Sequence, residues 1–209
     1  MRKLGLLLLG AGGHAHACID VIEQHGAYRI AGLIGMPSEQ NSQHLGYEVI
    51  GTDKDLAQLV KDNPFALITL GQIQTPDHRI RLYQLATDCS FTLPTIIAPN
   101  AHVSRHATIG AGTVVMHGAI VNAGAKIGNN CIINTHALVE HDATVADHCH
   151  ISTGAVLNGN VQVHTGCFIG SGSVIKEGIQ IGARSVVGMA LAVRHNLPEQ
   201  SLYTGQNNT

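Results

Sequence analysis

From Val103 to Val193 an aliphatic residue occupies every sixth position without a gap, running Val103, Ile109, Val115, Val121, Ile127, Ile133, Val139, Val145 and on at the same interval. Two residues before it stands a small side chain in most repeats, among them Ala101, Ala107, Thr113, Ala119, Cys131, Ala137, Ala143 and Cys149. Glycine often follows it, as at Gly110, Gly128, Gly170, Gly182 and Gly188. An α-helix cannot keep a period of six on one face, and a single long strand has no need of a turn residue in every repeat. Short strands joined by tight corners satisfy both. Three hexads then complete one triangular coil of 18 residues, with coils stacking at about 4.8 Å through parallel pairing. The aliphatic residue points inward, the small one fits near the corner, and Gly or Asn is expected where the corner demands a positive φ. Cys131, Cys149 and Cys167, each 18 residues apart, become an internal ladder of small side chains with no redox role.

The first half follows other rules. An apolar strand, Leu4 to Leu9, leads through Gly10-Ala11-Gly12-Gly13-His14 into a helix reaching Glu23. The pattern continues with a strand near Ile30 to Ile34 and a helix near Asp53 to Lys61. A strand from Phe65 to Leu70 ends in Gly71, and a helix near Asp77 to Thr87 and a short strand before Pro94 complete the series. Strands alternating with helices predict a small parallel α/β domain. The expected organisation is therefore a Rossmann-like α/β domain over 1–92 followed by a parallel β-helix over 93–209.

Composition narrows the function classes. With 209 residues and 44% apolar content the chain can bury one large core or two modest ones. Twelve basic residues nearly balance fourteen acidic ones and no basic run occurs, so neither a nucleic acid nor an anionic membrane is an expected partner. The Leu4–Leu9 run is too short for a signal peptide, and nothing approaches the roughly 20 apolar residues that span a bilayer. A cytoplasmic protein is the expectation. Five cysteines without a CxxC pair speak against both a disulfide framework and a structural zinc site.

Chemistry gathers in two places. The turn Gly12-Gly13-His14 opens the first helix, where backbone N–H groups can meet a phosphate. No acidic residue closes the second strand, where Gly35 and Met36 stand, so the ribose contact typical of NAD binding is missing. The second place is HALVEHDATVADHCH, residues 136–150, which holds four histidines and three carboxylates in a chain that is only 12% charged.

A GAGGHA-opened α/β domain joined to hexapeptide repeats carrying Glu140-His141-Asp142 resembles the hexapeptide-repeat sugar acetyltransferases of the sialic acid O-acetyltransferase family. The likeness is greatest to the branch that acetylates nucleotide-linked 4-amino-sugars. The repeat resemblance covers 97–193; the combined one spans nearly the whole chain. It implies a left-handed coil, acetyl-CoA as cosubstrate, a nucleotide-linked amino-sugar as acceptor, no metal, and a homotrimer with the acyl donor between neighbouring β-helices. It also implies His141 as general base supported by Asp142, His150 at acetyl-CoA, and Gly12, Gly13, His14, Gly71 and Asn134 at the nucleotide-sugar. The chain departs from the family in having Gly35 where relatives often carry an acid. It also has Tyr203-Thr204-Gly205-Gln206 in place of a GxPA segment, and Asp142 where Glu is used.

The chemistry agrees with that assignment. Attack on a thioester requires the nucleophile to lose a proton, which an imidazole can accept near neutral pH. Most other histidines, including His102, His106, His117 and His164, are expected to face solvent. Three rivals remain: a sugar O-acetyltransferase, a β-helical zinc carbonic anhydrase suggested by the His136–His141 spacing, and a non-catalytic nucleotide-sugar-binding protein.

Overall fold

A computed structural model describes residues 3–204. In the first half, β1 (Leu4–Leu9), β2 (Tyr28–Ile34), β3 (Gln43–His44), β4 (Tyr47–Gly51) and β5 (Phe65–Ile68) form one sheet in the order β3-β4-β2-β1-β5. All neighbours are parallel except β3 and β4. Leu6 to Leu9 of β1 are completely buried because the central strand is covered on both faces. Leu6 and Leu8 meet α1 (Gly13–His25), while Leu7 and Leu9 meet Leu82 and Ala86 of α3 (Asp77–Asp88). Helix α1 ends at Gly26, whose φ of 74° lets its N–H reach Ile22 O at 3.1 Å.

Two local expectations need correction. The segment Asp53 to Lys61 forms a 3-10 turn, Asp53–Asp55, and one α-helical turn, α2 (Leu56–Leu59). The Asp55 carboxylate accepts both the N–H and the hydroxyl of Thr52 and fixes the start, while Pro64 lies too close to allow a longer helix. The β3–β4 hairpin was not expected. Its turn, Leu45-Gly46, has positive φ at both residues, and leucine gives no sequence signal for that conformation.

Beyond Leu93 the chain forms two-residue strands, from Ile96–Ile97 to Leu202–Tyr203, arranged in three parallel sheets of seven, six and five strands. Partners are 18 residues apart, as in Ile132 with His150 and Ile133 with Ile151. The architecture is a left-handed parallel β-helix behind an α/β domain. From Val115 to Val193 every sixth-position aliphatic is at least 96% buried, each contributing about 1.5–3 kcal/mol of hydrophobic stabilisation. Val103 and Ile109 are only partly covered at the open end of the stack. The three ladder cysteines are fully buried, and their thiols point to carbonyls of the coil, Cys149 Sγ lying 3.0 Å from His164 O.

The three walls differ outside. The seven-stranded wall presents Ile96, Val114 and Ile132 to α1, which makes one continuous core from sheet, helix and coil. The six-stranded wall presents Ile120, Leu138, Val156 and Val174 with no such cover, Ile120 and Val174 being about two-fifths exposed. The five-stranded wall presents Thr108, Lys126, Thr144, Gln162 and Gln180.

The corner chemistry also departs from expectation. The left-handed residue is the third after the aliphatic one, and besides the expected types, as at Gly112, Gly118, Gly124, Asn130 and Asn160, it is often neither glycine nor asparagine: His136, Asp142, His148 and Arg184 all adopt it. The glycines directly after the aliphatic serve a different purpose. A Cβ at Gly110 would lie 2.6 Å from the backbone of Gly128 on the next coil, and Gly128, Gly170 and Gly182 are as tight, so these four positions exclude a side chain for lack of room.

Candidate active site

One cluster occupies the corner between the six- and five-stranded walls. Asp142 sits at φ 59°, and this bend is what turns its carboxylate back toward the preceding residue. His141 Nδ1 and Asp142 Oδ2 are 2.9 Å apart. A carboxylate can only accept, so Nδ1 carries the proton and Nε2 keeps its lone pair. Glu140 Oε2 accepts the His141 N–H at 3.2 Å and the Asn122 side-chain amide at 2.9 Å, which fixes the corner from below. The His141 side chain is 60% exposed. Its ring lies over Gly159, where a Cβ would stand 2.7 Å from Cε1 and Nε2. Glu140, His141, Asn158, Gly159, Asn160 and Glu177 line a shallow depression around it.

The second cluster is buried where the α/β domain meets the seven-stranded wall. His150 points outward from that wall into the junction, and its ring meets Phe168 edge-on at 5.2 Å. Its Nδ1 lies 2.7 Å from Gln72 O and its Nε2 3.1 Å from Asn134 Nδ2. The Asn134 amide is oriented by Oδ1, which accepts the Thr135 N–H at 2.8 Å. Nδ2 is therefore the donor to Nε2, and Nδ1–H donates to the Gln72 carbonyl; both bonds select the same neutral tautomer. Burial holds the His150 pKa down to about 4, opposed by the Gln72 bond and aided by the charge of Arg79.

His14, in the first turn of α1, lies 6.3 Å from His150 ring to ring. Its buried Nε2 meets no hydrogen-bond partner among the described residues. Burial, then Arg79, then His150 lower its pKa to about 3. Gly12 and Gly13 are exposed, and a Cβ on either would meet open space, so this helix end is accessible to a ligand. Gly71 packs against His14.

The structure thus brings His14, Gly71, Asn134 and His150 together, with Gly12 and Gly13 at the edge, and keeps His141 and Asp142 apart on another corner of the prism. His136 and His141 occupy successive corners and lean toward opposite ends of the stack, over Gly118 and Gly159, so their spacing does not join them within one chain. Among the described residues no group of three or more His, Cys, Asp or Glu is placed to hold a metal ion. His102, His106 and His164 are exposed as expected, but His117 is half-buried, 2.8 Å from Asp20 of α1.

Sequence reasoning missed three residues. Gln72 and Arg79 shape the junction, and Arg79 had one visible signal, its place with Leu82 and Ala86 on the buried face of α3. Glu39 brings a carboxylate to the end of β2, 2.8 Å from where a Gly35 Cβ would stand, while accepting the Met36 N–H at 2.7 Å. Of the altered C-terminal segment, Gly205 and Gln206 lie outside the described residues. No helix among the described residues is long and apolar enough to cross a membrane.

Comparison with known proteins follows the same division. Residues 5–83 match the PglD N-terminal domain, 106–141 and 124–159 the bacterial transferase hexapeptide, and 162–194 the hexapeptide repeat of succinyl-transferase. No curated protein matches the chain significantly. Among solved structures, perosamine N-acetyltransferase from Caulobacter crescentus, in complex with CoA and GDP-perosamine, is 31% identical. That match covers 94% of this chain and 91% of the other, with a TM-score of 0.88. The acetyltransferase domain of PglB from Neisseria gonorrhoeae, in complex with acetyl coenzyme A, is 29% identical over 94% of each chain, with a TM-score of 0.86. WeeI from Acinetobacter baumannii, 20% identical over 98% of each chain, shares the fold at a TM-score of 0.86. With 31% identity across nearly the full length of both chains and the same order of domains, the protein belongs to the hexapeptide-repeat sugar acetyltransferases of the sialic acid O-acetyltransferase family, and it is an acetyltransferase.

Proposed function

We propose that the protein transfers the acetyl group of acetyl-CoA to the 4-amino group of a nucleotide-linked sugar, with His141 as general base. The observation that carries this reading is the His141 tautomer: Asp142 occupies Nδ1–H, which leaves Nε2 of this exposed side chain free to accept a proton. As the amine nitrogen bonds to the thioester carbon, Nε2 takes the proton that the nitrogen must lose. The tetrahedral intermediate then collapses, the C–S bond breaks, and the proton held on Nε2 passes to the departing sulfur, so that coenzyme A leaves as the thiol. A positioned base supplies roughly 10²- to 10⁴-fold, about 3–5 kcal/mol of barrier. Alignment of two bound substrates supplies much of the remainder.

The relatives bind coenzyme A, acetyl coenzyme A and GDP-perosamine, which supports an acyl donor and a nucleotide-linked amino-sugar here. Structures of the Caulobacter enzyme with a histidine replaced by Asn or Ala still hold both ligands, as expected of a residue that acts on the reaction more than on binding. The exposed end of α1 at Gly12 and Gly13, with His14 and Gly71 beside it, suits the diphosphate; Asn134 lines the way from it toward the coil, and His150, in contact with Asn134, lies at acetyl-CoA.

Because the His141 corner and the junction lie on different sides of one prism, the site is completed by a second copy in a homotrimer. The exposed aliphatic stripe Ile120, Leu138, Val156 and Val174 supplies the contact surface. An assay of thiol release with acetyl-CoA against a panel of nucleotide-linked amino-sugars, run on wild type and His141→Ala, tests the reading. Equal rates for the two would refute the general base, and light scattering that shows an active monomer would refute the shared site.

A further inference from the structure

Arg79 is the largest fully buried side chain in the described structure, and no carboxylate lies against it. Its guanidinium instead spans the two domains. Nη1 donates to Ile68 O and Leu70 O at the end of β5, and Nη2 donates to Asn130 O and Oδ1, at 3.1 and 2.7 Å, on the coil. Asn130 holds the left-handed corner position at φ 51°, and its amide nitrogen lies 3.0 Å from His148 Nδ1. An unpaired buried guanidinium is costly to desolvate, and four carbonyl contacts offset that cost only in this one geometry.

The tethered strand end continues directly into Gly71 and Gln72. The Gln72 side-chain amide donates to Cys167 O at 3.2 Å, and its backbone carbonyl receives Nδ1–H of His150. The chain of contacts therefore runs from Asn130 through Arg79 and Leu70 to Gln72, then to His150 and Asn134.

We propose that Arg79 is a positioning residue for the acyl-donor site: it fastens the Leu70–Gln72 turn to the coil so that the Gln72 carbonyl selects the His150 tautomer with an unprotonated Nε2. The link to acyl-donor binding rests on the placement of His150 at acetyl-CoA given above; the link to the tautomer does not. Lysine in place of Arg79 keeps the charge and loses the fork, because one ammonium cannot reach both Leu70 O and Asn130. Glycine in place of Asn130 keeps the left-handed corner and removes the Oδ1 acceptor.

The test compares wild type, Arg79→Lys and Asn130→Gly by nitrogen-15 NMR of the histidine rings, and by KM and kcat for acetyl-CoA. In wild type the His150 signals are expected to report a single neutral Nδ1–H tautomer. In folded Arg79→Lys the expected result is a mixture of tautomers and at least a tenfold rise in KM for acetyl-CoA, with kcat within about threefold. Asn130→Gly, which remains available should the lysine variant not fold, gives the same change at about threefold in KM. An unchanged His150 tautomer in a folded variant overturns the proposal, as does a mixed tautomer with unaltered KM. Should wild type show no turnover with acetyl-CoA and any amino-sugar acceptor tested, the functional reading fails and the tautomer measurement alone decides the role of Arg79.

Discussion

The His141 corner and the His150 junction solve opposite problems with the same side chain. At the corner an imidazole stands in solvent, oriented by one carboxylate on its own neighbour, with Nε2 uncommitted. In the junction an imidazole has both nitrogens engaged by groups from distant parts of the chain and is held neutral by burial. Reactivity requires a nitrogen free to change its protonation state, whereas position requires one that does not change. Nearness of a histidine to the expected site therefore says less about its role than how many of its nitrogens are already used.

Substitution should separate the two. His141→Asn is expected to lower kcat by roughly 10²- to 10⁴-fold while the melting temperature stays nearly unchanged, since the side chain is exposed and packs little. His150→Leu should do the reverse in stability, losing about 2–4 kcal/mol by leaving the Gln72 carbonyl and the Asn134 amide without partners. For a chain of this size that lowers the melting temperature by about 4–16 °C. Equal melting temperatures for the two variants would erase the distinction.

Acid should act on the junction in a defined direction. His14 and His150 are held at about 3 and about 4 in the folded state, below the usual histidine value near 6.5, so the unfolded chain binds more protons between those limits. Their contribution is complete above pH 6.5 and is lost as pH falls toward 4, with a slope of up to about 1.4 kcal/mol per pH unit for each histidine. Urea titrations from pH 7 to pH 5 should show stability declining, and His150→Leu should flatten the decline. The smallest effect belongs to the corner. Gly159→Ala places a methyl group against the His141 ring and should reduce kcat about tenfold, with the fold and the affinity for acetyl-CoA retained.

How much of this was visible in the sequence depends on whether a feature repeats. The coil was legible because every inward position must satisfy the same cavity, and Glu140-His141-Asp142 was legible because its members are adjacent. Which corner residue turns left-handed was not, since stacking against the next coil decides it and Asp, His and Asn satisfy it as well as Gly. Nor was the junction fully legible. Gln72 and His150 are 78 residues apart and Arg79 and Asn130 are 51 apart, and such contacts leave no periodic trace. Glu39 was hidden because it reaches the end of β2 from a turn further on.

The stacked coil is also a ruler with unequal tolerance along its length. Asn134 and His150, sixteen residues apart, must lie on adjacent coils for their side chains to meet. An extra 18-residue coil inserted between them would separate the pair, and a single inserted residue would turn the following aliphatics toward solvent. Past Val193 the same additions would leave that pair untouched, so growth or erosion of the protein by whole coils is permitted at the far end and forbidden across the middle.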